Sequence, residues 1–202
     1  LGDYVGVKHC LACASGTDAL LIPLMAWNIG QGDAVFTTPF TFIATAEVIS
    51  LVGATPVFVD IDRNTYNIDP ELLDEAIQKV KKEGKLNAKA IIPVDLFGLC
   101  ADYKKISEIA KKHNLIVLED AAQGFGAVQY GKKSGSFGNA AATSFFPAKP
   151  LGCYGDGGAV FTDDDDLIEI MKSIRVHGQG SDKYENVRIG LNSCLNSIYS
   201  PI

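Results

Sequence analysis

Short, nearly continuous apolar runs alternate with amphipathic segments along this chain, and that alternation predicts an α/β fold. Val5–Cys13 reads as a strand and Asp18–Ile29 as a helix closed by Gly30-Gln31-Gly32. Ala34–Thr37 is a strand leading to Pro39, Thr41–Leu51 is helical, and Thr55–Val59 is a strand. Asp69-Pro70-Glu71 marks a helix start, with Asp as N-cap and Pro at the first helical position. Leu72, Leu73, Ala76, Ile77 and Val80 then fall on one face of that helix. A polar break covers Lys81–Lys89, followed by a strand over Ala90–Leu96, a helix over Tyr103–His113 and a strand over Leu115–Leu118. Ala141–Phe145 and Ala159–Thr162 are strands separated by a Gly-rich turn, and Asp166–Val176 is the last helix. Runs such as Leu115-Ile116-Val117-Leu118 have no polar alternation, which suits a mostly parallel sheet covered on both faces.

Composition narrows the function classes. The 202 residues are 47% hydrophobic and 21% charged, a globular balance with enough chain for a large core. Eighteen basic against 24 acidic residues leave a formal charge of −6, which repels phosphodiesters and argues against nucleic acid as a partner. Every apolar stretch falls well short of the ~20 residues of a spanning helix, so no membrane partner is expected. Five cysteines form no disulfide framework and point to a reducing compartment, read as the cytoplasm. Cys10-x-x-Cys13 has no second pair, and His9, His113 and His177 lack ligand spacing, so no metal site is expected. The chain opens on Leu1-Gly2-Asp3 and stops at Ser200-Pro201-Ile202, and it is read as one domain over residues 1–202 cut from a longer protein.

Ligands of open parallel sheets sit beyond the carboxyl ends of the strands, and five features fall there. Ser15-Gly16-Thr17-Asp18 places small residues between a strand and a helix, where free N–H groups attract an anion. The same four residues also suit an ordinary N-cap. Glu119-Asp120 directly follows the strand Leu115–Leu118, where a carboxylate is a helix cap or a functional charge, and Gln123 and Gly124 come next among small residues. Lys149 stands in an apolar, Pro-bounded loop after Ser144-Phe145-Phe146, where desolvation would make it a nucleophilic amine. Phe42 opens a helix after a strand and is a core residue or a stacking platform. Gly190-Leu191-Asn192 alone is a polar turn. An anion site, a strand-end Asp, an aromatic platform and one loop Lys are the parts a pyridoxal phosphate site needs.

Their order and text resemble the DegT/DnrJ/EryC1/StrS family of nucleotide-sugar aminotransferases. The resemblance runs from about Val5 to Asn192. It is carried by Ser15-Gly16-Thr17-Asp18-Ala19-Leu20, Thr38-Pro39-Phe40-Thr41-Phe42, Gly53-Ala54-Thr55-Pro56-Val57, Glu119-Asp120-Ala121-Ala122-Gln123, Ser144-Phe145 with Lys149, and Gly157-Gly158. It implies the large domain of a fold-type I enzyme dependent on pyridoxal 5'-phosphate, truncated at both ends. By the same resemblance Lys149 carries the cofactor and moves the proton, and Asp120 pairs with the ring nitrogen. Gln123 lies by the ring hydroxyl and Phe42 stacks on the ring. Gly16, Thr17 and Ser144 take the phosphate, and Asn192 reaches the phosphate of a neighbouring subunit in a homodimer. The implied reaction moves an amino group from a donor such as glutamate to a keto group of a nucleotide-linked sugar. Thr143–Gly158 looks most like enzymes acting on a UDP-linked 3-oxo-N-acetylglucosaminuronate. Related sugar dehydratases carry His where Lys149 stands, which favours transamination. Asp95 stands where the family often has His, and Cys194, Asn196 and Tyr199-Ser200-Pro201 depart from the family's text. That departure keeps open a non-catalytic remnant that dimerises and binds the cofactor without turnover. A different fold-type I activity on a small amino acid is the third reading.

Overall fold

The computed structural model describes residues 1–182 and 184–196. Its elements in order are α1 (Gly2–Val5), β1 (His9–Cys13), α2 (Gly16–Ala26), β2 (Asp33–Thr37), α3 (Ala44–Leu51) and β3 (Thr55–Phe58). Then follow α4 (Pro70–Glu83), β4 (Asn87–Ile91), a 3-10 turn (Leu96–Gly98), α5 (Tyr103–His113) and β5 (Ile116–Asp120). The small strands β6 (Val128–Gln129) and β7 (Lys132–Lys133) precede β8 (Ala140–Ser144), β9 (Gly158–Thr162) and α6 (Asp165–Arg175).

Seven strands form one sheet in the order β1-β9-β8-β5-β4-β2-β3, and β6-β7 is a separate hairpin. Four neighbouring pairs are parallel, and β9 runs antiparallel to both β1 and β8. Six strands therefore point the same way, as the apolar runs imply. Helices cover both faces. Val35, Ile92 and Leu118 pack with α2, α3 and α6 residues such as Ile22, Ile49 and Met171. Their neighbours Phe36, Ile91 and Val117 turn to the other side and pack with Leu73, Ile77 and Ile106 of α4 and α5. The period-2 alternation of a strand thus feeds two cores from one sheet.

Local chemistry sets the element ends. Asp69 caps α4 by accepting from the N–H groups of Glu71 and Leu72, and Gly84 closes the helix at φ 65°. Leu73 and Ile77 are buried and Ala76 and Val80 pack beside them, but Leu72 is exposed and lies off the expected face. The break expected over Lys81–Lys89 is shorter: α4 runs to Glu83 and β4 begins at Asn87. The following strand ends at Ile91 rather than Leu96, because Pro93 has no N–H for a ladder and the chain turns into the 3-10 segment. The first strand begins at His9, since Gly2–Val5 is a helical turn closed by Gly6 at φ 89°. The segment before α3 is not helical. Pro39 disfavours helical backbone at Thr38, and the Thr38 hydroxyl accepts from Phe40 N–H at 3.1 Å, so the helix waits until Ala44.

Candidate active site

The carboxyl ends of β1, β5 and β8 and the bend after β2 converge on a cavity of about 460 Å³. Gly16, Thr17, Phe42, Asp120, Gln123, Ser144 and Lys149 all line it. Seven of the eight residues expected from the sequence therefore share one space, although they span 133 positions of chain. A larger groove of about 690 Å³ lies between α2, α3 and α6, but it is walled by Leu21, Met25, Leu51, Ile170 and Ile174 and gathers no convergent polar groups of this kind.

The anion end is built by α2. Ser15 has extended backbone and its hydroxyl accepts from Asp18 N–H at 3.0 Å, the N-cap arrangement. The N–H groups of Gly16 and Thr17 lie in the first turn, where no intrahelical acceptor exists, and the helix dipole adds positive potential. Both residues face the cavity. A side chain at position 16 would put its Cβ 2.5 Å from Ser144 Cβ and 2.8 Å from Ser144 Oγ. Glycine lets the start of α2 lie against the end of β8, which brings the Ser144 hydroxyl to the same end of the cavity. Gly158 has the same function one strand over, where a Cβ would collide with Ser15 O.

Asp120 lies at the floor and is only 5% exposed. Its Oδ2 accepts from the Thr45 hydroxyl at 2.8 Å and its Oδ1 from Ala122 N–H at 3.1 Å. Burial pushes its carboxyl up, and the Thr45 and Ala122 bonds and the Lys149 charge pull against that shift. A carboxylate has about four acceptor positions, so two filled positions leave capacity for a cationic N–H. Lys149 is half-buried, its own N–H donates to Phe146 O at 2.8 Å, and it lines the same cavity. Phe42 is 64% exposed at the rim, in the bend before α3 rather than at a helix start. That exposure rules out the core alternative and leaves a ring face open. Gln123 Oε1 accepts from Phe97 N–H at 3.1 Å, which fixes the amide beside Asp120.

Asn192 lies elsewhere. It is exposed, bridges Val176, and is outside the cavity of its own chain. The adjacent Ser193 hydroxyl donates to Asp18 Oδ2 at 2.6 Å, so this segment is tied to the start of α2. Tyr199-Ser200-Pro201 fall outside the described residues. Thr45, Ala122, Phe146 and Asp156 also belong to the site and were not anticipated. Thr45 lies in the first turn of α3, and its hydroxyl meets Asp120, 75 positions away, only through the fold. Ala122 acts through its backbone and Asp156 sits in a Gly-rich turn, so neither advertised itself.

The DegT/DnrJ/EryC1/StrS aminotransferase family matches residues 1–202. This chain belongs to that family. It is 52% identical over 202 residues to the UDP-2-acetamido-2-deoxy-3-oxo-D-glucuronate aminotransferase of Pseudomonas aeruginosa, covering 100% of this chain and 54% of that protein. It is 46% identical over 197 residues to a UDP-N-acetyl-3-dehydro-alpha-D-glucosamine 3-aminotransferase of Acidithiobacillus ferrooxidans, covering 98% and 51%. A crystal structure of a family aminotransferase from Brucella abortus superimposes with a TM-score of 0.97 at 56% identity, covering 98% of this chain and 53% of that one. NtdA from Bacillus subtilis, crystallised with bound cofactor PMP, superimposes at 0.88 with 33% identity, covering 98% and 43%. The chain spans about half the length of the curated relatives it matches. The fold is that of these fold-type I aminotransferases. Among the described residues no helix is long and apolar enough to cross a membrane.

Proposed function

We propose that this chain forms the cofactor-binding part of a sugar aminotransferase, moving an amino group from an amino-acid donor to a keto group of a nucleotide-linked sugar. The observation that carries the reading is the meeting of Lys149 and Asp120 in one cavity with the open N-terminus of α2. The residues fit pyridoxal 5'-phosphate: free first-turn N–H groups and the Ser144 hydroxyl for the phosphate, a buried carboxylate with spare acceptor capacity, and one amine within electrostatic reach of it. When bound, that group supplies an aldehyde that takes up amines and a ring that accepts electrons as a proton leaves the donor α-carbon.

The chain's own residues do the rest. Gly16, Thr17 and Ser144 bind the phosphate. Asp120 holds a proton on the ring nitrogen, Thr45 and Ala122 orient its two oxygens, and Gln123 lies by the ring hydroxyl. Lys149 would hold the cofactor through its Nζ, and the same amine, when free, would move the proton, with glutamate as the donor. Phe42 covers one ring face and excludes water. Asn192 serves the phosphate of a neighbouring subunit in a homodimer, for which its exposed position apart from its own cavity is suitable. Exposed Phe40, Phe42, Ile43 and Phe97 give that end of the sheet an apolar surface suited to a second copy. The reaction belongs to the cytoplasm, where nucleotide sugars are made. The relatives' names support a UDP-linked 3-oxo sugar as the substrate class.

The test is the visible spectrum of the purified chain with pyridoxal 5'-phosphate, before and after borohydride and then with glutamate. A band that borohydride fixes onto Lys149, and that glutamate converts in the untreated sample, is expected. A spectrum of free cofactor only rejects the reading and leaves a remnant without turnover, and a label that persists in Lys149→Ala removes Lys149 from its role.

A further inference from the structure

Beneath the cavity floor lies a group of polar side chains that the proposed reaction leaves unused. Asp95, in the turn after β4, and Glu119, next to Asp120 in β5, are both completely buried. Between them stands the Ser134 hydroxyl, 2.6 Å from Asp95 Oδ2 and 2.9 Å from Glu119 Oε1. A hydroxyl has one hydrogen to give. With both acids ionised, one of those short contacts would set lone pairs against each other. One acid must therefore carry a proton and donate it to Ser134 Oγ, whose own hydrogen goes to the other acid.

The two Ser134 contacts decide which acid is charged, because the other partners are equal in number. Asp95 Oδ1 accepts from Ala101 N–H at 3.0 Å and from the Tyr103 hydroxyl at 2.8 Å, so Asp95 has two donors besides Ser134. Glu119 has two backbone donors, Gly135 N–H at 2.6 Å and Phe137 N–H at 2.8 Å. The shorter contact of the hydroxyl, to Asp95, is the charge-assisted one. Burial, then the like charge of Asp95, pushes the Glu119 carboxyl well up. Burial raises Asp95 as well, but the protonated Glu119 across Ser134 and the hydrogen bonds from Ser134, Ala101 and Tyr103 oppose it. Asp120 faces Asp95 from the cavity side, and the other two titratable groups beside the pair, Cys100 and Tyr103, are neutral. Burial pushes the Cys100 thiol up to about 12 and the Tyr103 hydroxyl well above its ordinary value.

One negative charge therefore stays on Asp95, and the fold couples it to the site. Asp95 N–H donates to Asp120 O at 3.0 Å, and Asp120 N–H donates to Pro93 O at 2.9 Å. The Asp95 charge raises the Asp120 carboxyl from behind, while Lys149 lowers it from the cavity side. Gly124 rests directly on Asp95: a Cβ there would overlap Asp95 Cβ and come within 2.9 Å of Oδ2. Residues 121–124, which carry Gln123, are thus supported by the same pair.

We propose that Asp95 and Glu119 share one proton through Ser134, and that Asp95, which keeps the charge, is a positioning residue acting on Asp120. A second negative charge behind Asp120 strengthens its hold on a proton between it and a ring nitrogen, a consequence that rests on the cofactor reading above.

The experiment is a pH titration of 13C-labelled Asp and Glu carboxyls by NMR, on the full chain without added cofactor. In the parent chain Glu119 stays protonated through neutral pH while Asp95 is ionised. Asp95→Asn lowers the Asp120 midpoint by about one pH unit. Glu119→Gln, which keeps a donor toward Ser134 and stays neutral, leaves the Asp120 midpoint in place. That contrast separates a charge effect from loosened packing. Glu119 titrating as an ordinary carboxyl near ~4.3 overturns the shared proton, a result that needs no variant. An Asp120 midpoint that does not move in Asp95→Asn overturns the positioning role. No arm uses the cofactor, so failure of pyridoxal phosphate to attach to Lys149 rejects the proposed function alone.

Discussion

Asp120 and Gly16 define what single residues contribute to this site. Asp120 is buried, accepts from Thr45 and Ala122, and feels the opposite charge of Lys149. Asp120→Asn keeps the shape and removes the charge, so cofactor binding is expected to persist while the half-reaction with glutamate slows by roughly 10²–10³-fold. Stopped-flow absorbance with glutamate reads it, and near-parental rates reject the role. Gly16 is needed for close approach rather than for unusual backbone. Gly16→Ala sets a Cβ 2.5 Å from Ser144 Cβ, and the required shift of α2 against β8 is expected to destabilise by about 1–3 kcal/mol. Denaturant titration reads the loss, and cofactor affinity falls with it because the Gly16 and Thr17 N–H groups move. The sequence displayed Lys149, Asp120 and the Ser15–Asp18 turn because each is a chemically odd residue in a small or apolar context. It did not display Asp95 and Glu119 as a pair, since their contact is made through Ser134, 39 and 15 positions away.

Between elements, α4 and α5 are joined on the outer face by Asp74. Its carboxylate takes Lys112 at 2.8 Å and His113 at 2.6 Å from α5, and Gln78 from its own helix. The Lys112 bond above all, with His113 and Gln78 behind it, lowers this carboxyl to about 2. A carboxyl lowered in the folded state adds stability that is present above its unfolded value, ~3.9, and is lost as pH falls through the folded one. Thermal unfolding between pH ~4 and ~2 is therefore expected to be less steep in pH for Asp74→Asn than for the parent chain. Parallel curves remove Asp74 from this role. Element identity was legible where pattern and cap agree, as in α5, expected and found over Tyr103–His113, and in α4, which starts at Asp69-Pro70. It was less legible in β4, where Asn87 and Lys89 look like loop residues, yet Asn87 and Ala88 pair in parallel with β2 and Lys89 falls at the irregularity before Ala90 resumes the pairing. The bend before α3 depended on Thr38 and Pro39, whose local bonds overrule the helical period of the residues around them.

For the whole molecule, the exposed aromatic surface around Phe40, Phe42 and Phe97 sits beside the cavity, and Asn192 stands outside it. A homodimer is the expected state. Sedimentation at micromolar concentration is expected to show twice the chain mass, and a clean monomer removes Asn192 from its proposed role. By itself the amino-acid sequence determined the α/β class, most elements, the family's text and the chemistry-bearing residues, because periodicity, caps and motif composition act over a few neighbouring positions. Tertiary structure alone decided that β9 runs against β1 and β8, that Gly16 meets Ser144, and that Thr45 orients Asp120. It also decided that Asp95 and Glu119 face one hydroxyl. Those contacts join residues tens of positions apart, and only the packing of helices on both faces of one sheet brings them within hydrogen-bond reach.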